Sequence, residues 1–175
     1  MNIVRYSDKK FSEKIREATS APSLFDEAIE NRTRAILREV FLRGDDALLE
    51  FTERFDGAKL MAEQLAVTQA ELLAASIKAD ESLRAAVAEA EKNVAFFAKK
   101  SLRKNWQAKN AHGASVGEKF DPFTRVGIYI PGGTAPLVST ALMTITLAKV
   151  AGCKEIVVVT PPGKNGAINP AILFA

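Results

Sequence analysis

The hydrophobic positions in the first hundred residues recur every three or four positions, which predicts amphipathic helices. A short helix is expected over residues 11–18, before a break at residues 20–23. A long helix is predicted over residues 23–43, because Gly44 follows its last apolar position and glycine commonly ends helices. Asp45 is expected to cap the next helix.

Two further helices are predicted from their capping residues. Thr68 stands three positions before Glu71, which is the capping-box spacing. Asp80 is expected to cap a helix over residues 81–100. Apolar residues that line one side of a helix normally face the core. On this last helix, the expected apolar side consists of Leu83, Val87, Ala90, Val94 and Phe97.

The pattern changes from helical to extended after Arg103. Residues 104–124 show no helical period, and a short strand is expected over residues 115–120. Residues 126–130 form an apolar run without polar alternation, which predicts a parallel strand covered on both faces.

A helix is predicted over residues 137–150, stopped by Gly152, and a second buried strand over residues 155–160. Asn169 and Pro170 are expected to cap and begin another helix. The order strand, helix, strand predicts a right-handed βαβ unit and an α/β fold with a helical amino-terminal segment.

Composition and charge exclude several classes of function. The net charge is +3, and no run of five or six Lys or Arg occurs, so neither binding to nucleic acid nor a nucleic-acid partner is expected. Neither a signal peptide nor a run of about eighteen apolar residues is present, so we expect no membrane segment and a cytoplasmic protein. Cys153 is the single cysteine, so an internal disulfide is impossible.

The candidate site is the glycine turn that follows the first parallel strand, Pro131-Gly132-Gly133. Ligands of open α/β sheets bind at the carboxyl ends of the strands, and a bare backbone would let a phosphate or ribose approach. The start of the next helix would offer free N–H groups to an anion. A tight turn without a ligand explains the glycines equally well, because the turn matches neither G-x-G-x-x-G nor a Walker loop. Nearby hydroxyls are those of Thr134, Ser139 and Thr140.

Residues 121–162, "DPFTRVGIYIPGGTAPLVSTALMTITLAKVAGCKEIVVVTPP", strongly resemble the histidinol dehydrogenase family. Residues 43–57, "RGDDALLEFTERFDG", and the segment "AVTQAELLAA" are also similar. The resemblance covers essentially the whole chain after residue 20. It implies incomplete Rossmann-like domains, and it divides this chain into an amino-terminal arm (1–20), a mainly helical first domain (21–124) and the start of a Rossmann-like cofactor-binding domain (125–175), which looks truncated.

The resemblance also implies an activity. The family consists of zinc-dependent homodimers that oxidise L-histidinol to L-histidine in two successive NAD-dependent steps of histidine biosynthesis. Its zinc ligands and its Glu-His acid/base pair match no position of this chain, so the chain alone is expected to hold no catalytic or metal-binding residue and to be inactive. The tyrosine of the family's YxPGG motif aligns with Tyr129, which makes Tyr129, Pro131, Gly132 and Gly133 the expected cofactor-binding residues; the alternative for Tyr129 is a buried aromatic side chain.

Three positions depart from the family pattern. Phe97 and Lys100 stand where the family often has His and Gln, and Glu118 stands where it often has Gln. These departures leave open a related dehydrogenase that oxidises another hydroxymethyl compound, such as a sulfonated diol. A short, non-catalytic binding or assembly module is the third hypothesis.

Overall fold

The computed structural model describes residues 3–19, 26–132 and 136–175. They form two compact units, Met1–Ala47 and Leu48–Ala175, which are described separately below. The division into three domains at residues 20 and 124 stays a prediction.

The first unit holds helices α1 (Phe11–Thr19) and α2 (Glu27–Arg43). The carboxylate of Asp26 accepts hydrogen bonds from the backbone N–H of Ala28 at 2.9 Å and of Ile29 at 3.3 Å, and so caps α2. The predicted start at residue 23 is therefore too early, and residues 20–25, with the predicted break, lie outside the described residues. Gly44 ends α2 as predicted, with a φ of 58° that favours glycine.

Helix α3 (Asp45–Asp56) follows at once, so Asp45 is its first helical residue and not the cap expected from the sequence. Beyond a 3₁₀ turn, Ala62–Gln64, come α4 (Gln69–Lys78) and α5 (Glu81–Ser101). Both of their predicted caps are confirmed. Thr68 and Glu71 exchange hydrogen bonds in a capping box, and Asp80 accepts one from the Leu83 N–H at 2.7 Å.

A β-hairpin follows α5, made of β1 (Trp106–Lys109) and β2 (Ser115–Glu118) in antiparallel pairing. The strand predicted over residues 115–120 ends two residues early. Phe120 has left the ladder, because its N–H donates to the Asn105 side chain at 2.7 Å instead of to a strand.

The predicted βαβ unit is confirmed as β3 (Arg125–Tyr129), α6 (Val138–Ala151) and β4 (Glu155–Val159), followed by α7 (Pro170–Phe174). Strands β3 and β4 are parallel, with Tyr129 opposite Val159. Gly152 ends α6 in the left-handed conformation, and Asn169 caps α7. The chain thus has the expected α/β fold with a parallel sheet.

Helices pack closely where their side chains are small. Helix α5 packs on α6, and Ala98 and Ala141 are 4% and 0% exposed on these two helices. The expected placement of Phe97 on the apolar side of α5 is wrong, since Phe97 is 72% exposed. The helix turns 100° per residue, so the stripe that includes Val94 continues at Ala98, four positions on.

One face of the β3–β4 sheet is open, which differs from the predicted coverage on both faces. Side chains alternate along a strand, so Tyr129, Val157 and Val159 share a face, and they are 63%, 39% and 54% exposed. Ile130, on the opposite face, is 1% exposed, and α6 contacts β3. Coverage of the face of Ile130 is itself incomplete, since Val158 on that face is 40% exposed.

Candidate functional site

The carboxyl end of β3 and β4 forms a polar edge built from the main chain. The ladder reaches its last step where the N–H of Ile130 donates to the carbonyl of Val159 at 2.9 Å. The next position on β4 that would donate to β3 in a continuing ladder is Pro161, and proline has no N–H to donate. The ladder of hydrogen bonds therefore ends at this point, and each strand continues with proline: Pro131 on one side, Pro161 and Pro162 on the other.

Tyr129 lies at this edge with its side chain on the open face of the sheet. It is 63% exposed, so it is not the buried aromatic of the alternative interpretation. A tyrosine in this position offers both a ring for stacking and a phenol for hydrogen bonding to a ligand. The assignment of Tyr129 as a cofactor contact stays a prediction.

Gly132 has a packing reason to be glycine. A Cβ built on Gly132 would collide with the ring of Pro161, so the turn lies against the end of β4. This close contact supports the interpretation as a tight turn at Gly132 without excluding a ligand. Pro131 is partly buried beside it. Gly133 and Thr134 lie outside the described residues, and their assigned roles stay predictions.

The start of α6 lies on the same strand connection. Leu137 is the N-cap residue, and its side chain makes no capping hydrogen bond. Its carbonyl accepts hydrogen bonds from the N–H groups of Thr140 and Ala141 at 3.0 and 3.3 Å. The hydroxyl-bearing residue Ser139 is exposed in the first turn. This end of α6 could receive an anionic group, as the sequence suggests.

Thr160 also lies at this edge. The sequence pattern predicts it only as the last residue of a buried strand and does not indicate a role at the site. Its hydroxyl oxygen is fully buried and has no hydrogen-bond partner among the described residues. Buried polar groups are normally paired, so an unpaired one in a binding edge needs an explanation. The available signal was a single hydroxyl at the end of the apolar run Ile156–Val159, directly before two prolines.

The residues present do not fit a zinc ion. A catalytic zinc site needs about three protein ligands. No group of three or more His, Cys, Asp or Glu that could hold a metal occurs among the described residues. His112 lies in the exposed turn between β1 and β2, and Cys153 follows α6. No step of the chemistry is therefore assigned to a metal on this chain.

Two departures from the family pattern have local partners. Glu118 accepts a hydrogen bond from the Trp106 indole at 2.6 Å across the hairpin. The Lys100 ammonium lies 5.9 Å from the centroid of the Phe96 ring, a cation–π distance. A concavity of about 460 Å³ lies along this hairpin, lined by residues of β1 and β2 and their ends, and not by Tyr129 or Pro131.

In the described part of the chain, we find no helix with the length and apolar character that crossing a membrane requires.

Comparison with known proteins identifies the family. The family model for histidinol dehydrogenase matches residues 19–175. The histidinol dehydrogenase of Symbiobacterium thermophilum is 44% identical over 147 residues, covering 84% of this chain and 34% of that protein. The histidinol dehydrogenase of Bacteroides thetaiotaomicron is 39% identical over 175 residues, covering all of this chain and 40% of that protein.

A solved structure agrees. The crystal structure of histidinol dehydrogenase from Elizabethkingia anophelis superposes with a TM-score of 0.82 at 32% identity, covering 93% of this chain and 37% of that chain. This chain therefore spans between a third and two fifths of the length of these relatives. On the family match and these identities, the chain belongs to the histidinol dehydrogenase family.

Proposed function

We propose that this chain is the amino-terminal part of a histidinol dehydrogenase, and that it supplies one edge of the site for NAD. The observation that carries the proposal is the exposed Tyr129 at the carboxyl end of a parallel strand, in a chain of this family. Ligands of open α/β sheets bind at this end of the strands. The substrate is L-histidinol, which the complete enzyme oxidises to L-histidine in two steps.

Each residue of the edge has a defined task. The Tyr129 ring is free to stack on a flat group of the dinucleotide or to donate its phenol hydrogen. In this proposal, the Pro131–Gly132 main chain would form the wall beside it, and the N–H groups at the start of α6 would receive the phosphates. When bound, NAD supplies the acceptor for the hydride that leaves the alcohol carbon.

We expect the rest of this chemistry to lie outside this chain. In the complete enzyme, a base would take the alcohol proton, and the family's zinc would supply the polarisation of the alcohol oxygen. Since the described residues contain no cluster of metal ligands, we assign both tasks to the part of the relatives that this chain does not match. We also expect the complete enzyme to be a homodimer.

The structure does not favour a different substrate. Glu118 was one of the departures that left a related dehydrogenase open, and its carboxylate is bonded to Trp106 within the hairpin. This local partner accounts for the carboxylate without a substrate. No observation favours a non-catalytic module over an enzyme portion.

A hybrid enzyme tests the proposal. Residues 1–175 of this chain would replace the matched portion of the Bacteroides thetaiotaomicron histidinol dehydrogenase, because that match covers all 175 residues. With zinc present, the hybrid should reduce NAD when L-histidinol is added, followed at 340 nm, and the chain alone should not. A correctly folded, zinc-loaded hybrid that binds neither NAD nor histidinol would contradict the proposal.

A further inference from the structure

We infer that Thr160 is a positioning residue for the cofactor, acting through the turn that follows β3; this inference rests on the proposed function. In the free chain its hydroxyl has no partner among the described residues. When NAD binds, the hydroxyl hydrogen-bonds to the main chain of residues 130–132 and holds the turn in its bound position.

The buried hydroxyl of Thr160 is the first observation behind this inference. The Thr160 oxygen is shielded from solvent and has no partner among the described residues. Leaving such a group unpaired is unfavourable, whereas replacing it with an apolar group of the same shape is neutral or stabilising. An unpaired buried group in a folded protein therefore calls for an explanation, and we infer that a partner is supplied when the site is occupied.

The position of Thr160 in the β3–β4 register is the second observation. The register of β3 and β4 continues one step beyond Tyr129 and Val159, which places Thr160 opposite Ile130. Both side chains then lie on the covered face of the sheet, away from Tyr129. Because the hydroxyl is buried there, a ligand lying against Tyr129 cannot touch it, and any effect of Thr160 on that ligand passes through the turn.

The main-chain carbonyl of Ile130 is the third observation. Pro161 cannot donate the ladder hydrogen bond that the Ile130 carbonyl would receive in a continuing sheet. The turn already packs against this part of β4, since a Cβ on Gly132 would meet the Pro161 ring. The Thr160 hydroxyl thus belongs to the residue opposite Ile130, whose carbonyl receives no hydrogen bond from Pro161.

The test compares Thr160→Val, which removes the hydroxyl and keeps the shape, with Thr160→Ser, which keeps the hydroxyl. In the 175-residue chain, Thr160→Val should melt at the same temperature as the unmodified chain or higher. In the hybrid enzyme, Thr160→Val should raise the Kd for NAD about fivefold to tenfold, the effect of one lost hydrogen bond, and Thr160→Ser should restore it. In the turnover assay, KM for NAD should rise with kcat unchanged.

Thr144→Val is the matched control, because its hydroxyl is already paired with the Thr140 carbonyl at 2.6 Å within α6. It should lower the melting temperature and leave NAD binding unchanged. A lower melting temperature for Thr160→Val overturns the inference even if the hybrid does not fold, because the hydroxyl would then have a partner in the free chain. An unchanged Kd for NAD in Thr160→Val, beside a weakened Tyr129→Ala, overturns it while the proposed function stands. If Tyr129→Ala also binds NAD normally, the proposed cofactor edge itself is wrong.

Discussion

Replacing Tyr129 with alanine separates a cofactor contact from a purely structural strand end. The side chain is 63% exposed and lies on the open face of the sheet, so little packing is lost when it is removed. Substitutions at such surface positions usually change the free energy of unfolding by no more than about 0.5 kcal/mol. Any larger effect on NAD binding therefore reports the missing contact and not a loss of folding.

The expected loss of binding follows from the kind of contact. A stacking or hydrogen-bonding contact is worth about 1–2 kcal/mol, so the KM for NAD should rise roughly fivefold to thirtyfold. The KM for histidinol should change less, because the edge faces the cofactor. Tyr129→Phe distinguishes the two contacts: it keeps a stacking contribution and loses only that of the phenol.

The assay is steady-state kinetics of the hybrid enzyme, with melting curves of the same variants. Tyr6→Ala is the control, since Tyr6 is 88% exposed and belongs to the other compact unit. It should leave both KM values unchanged. A lowered melting temperature for Tyr129→Ala with an unchanged KM for NAD would refute the reasoning, because that pattern belongs to a structural residue.

Three further outcomes are expected. Gly132→Ala should destabilise the chain by about 1–3 kcal/mol in denaturant unfolding, because the added methyl collides with Pro161, whereas Gly127→Ala, which meets no atom within 4 Å, should not destabilise it. The chain alone should show no histidinol-dependent NAD reduction and retain no stoichiometric zinc after chelator dialysis; about one tightly held zinc per chain by elemental analysis would contradict this. The Thr68 backbone N–H lowers the pKa of Glu71 below 4.5, so the stability that this carboxylate contributes is complete above pH 4.5 and is lost as the pH falls through the lowered pKa. Glu71→Gln should accordingly reduce the loss of stability on acidification, and an unchanged acid dependence would show that the capping box contributes none of it.

Much of the local structure could be predicted because short-range chemistry determines it. The caps at Thr68, Asp80 and Asn169 and the end of α6 at Gly152 depend on hydrogen bonds and dihedral angles within a few residues, so the sequence alone indicates them. The start of α2 is predicted too early, because the sequence does not single out Asp26 as the residue that caps it.

What could not be predicted depends on contacts between distant residues. The apolar run of β4 indicates a strand that is able to be buried on both faces, but not which neighbours cover it, and here Val159 is 54% exposed. Likewise, Phe97 and Ala98 are both apolar residues on α5, and only the approach of α6 decides that the smaller one is buried. Periodicity gives the face of an element, whereas tertiary packing decides what lies against it.

The glycine turn shows how a motif and its physical reason can differ. The sequence suggested a backbone left bare for a ligand, and at Gly132 the structure supplies a different constraint, contact with the Pro161 ring. The two constraints concern one place, because Pro161, which ends the ladder of hydrogen bonds, also lies against the turn. A glycine required for packing then also leaves the main chain accessible from the Tyr129 side. Under the proposed function, binding and folding favour the same residue here, and only substitutions that affect one of them, such as those at Tyr129 and Thr160, can tell them apart.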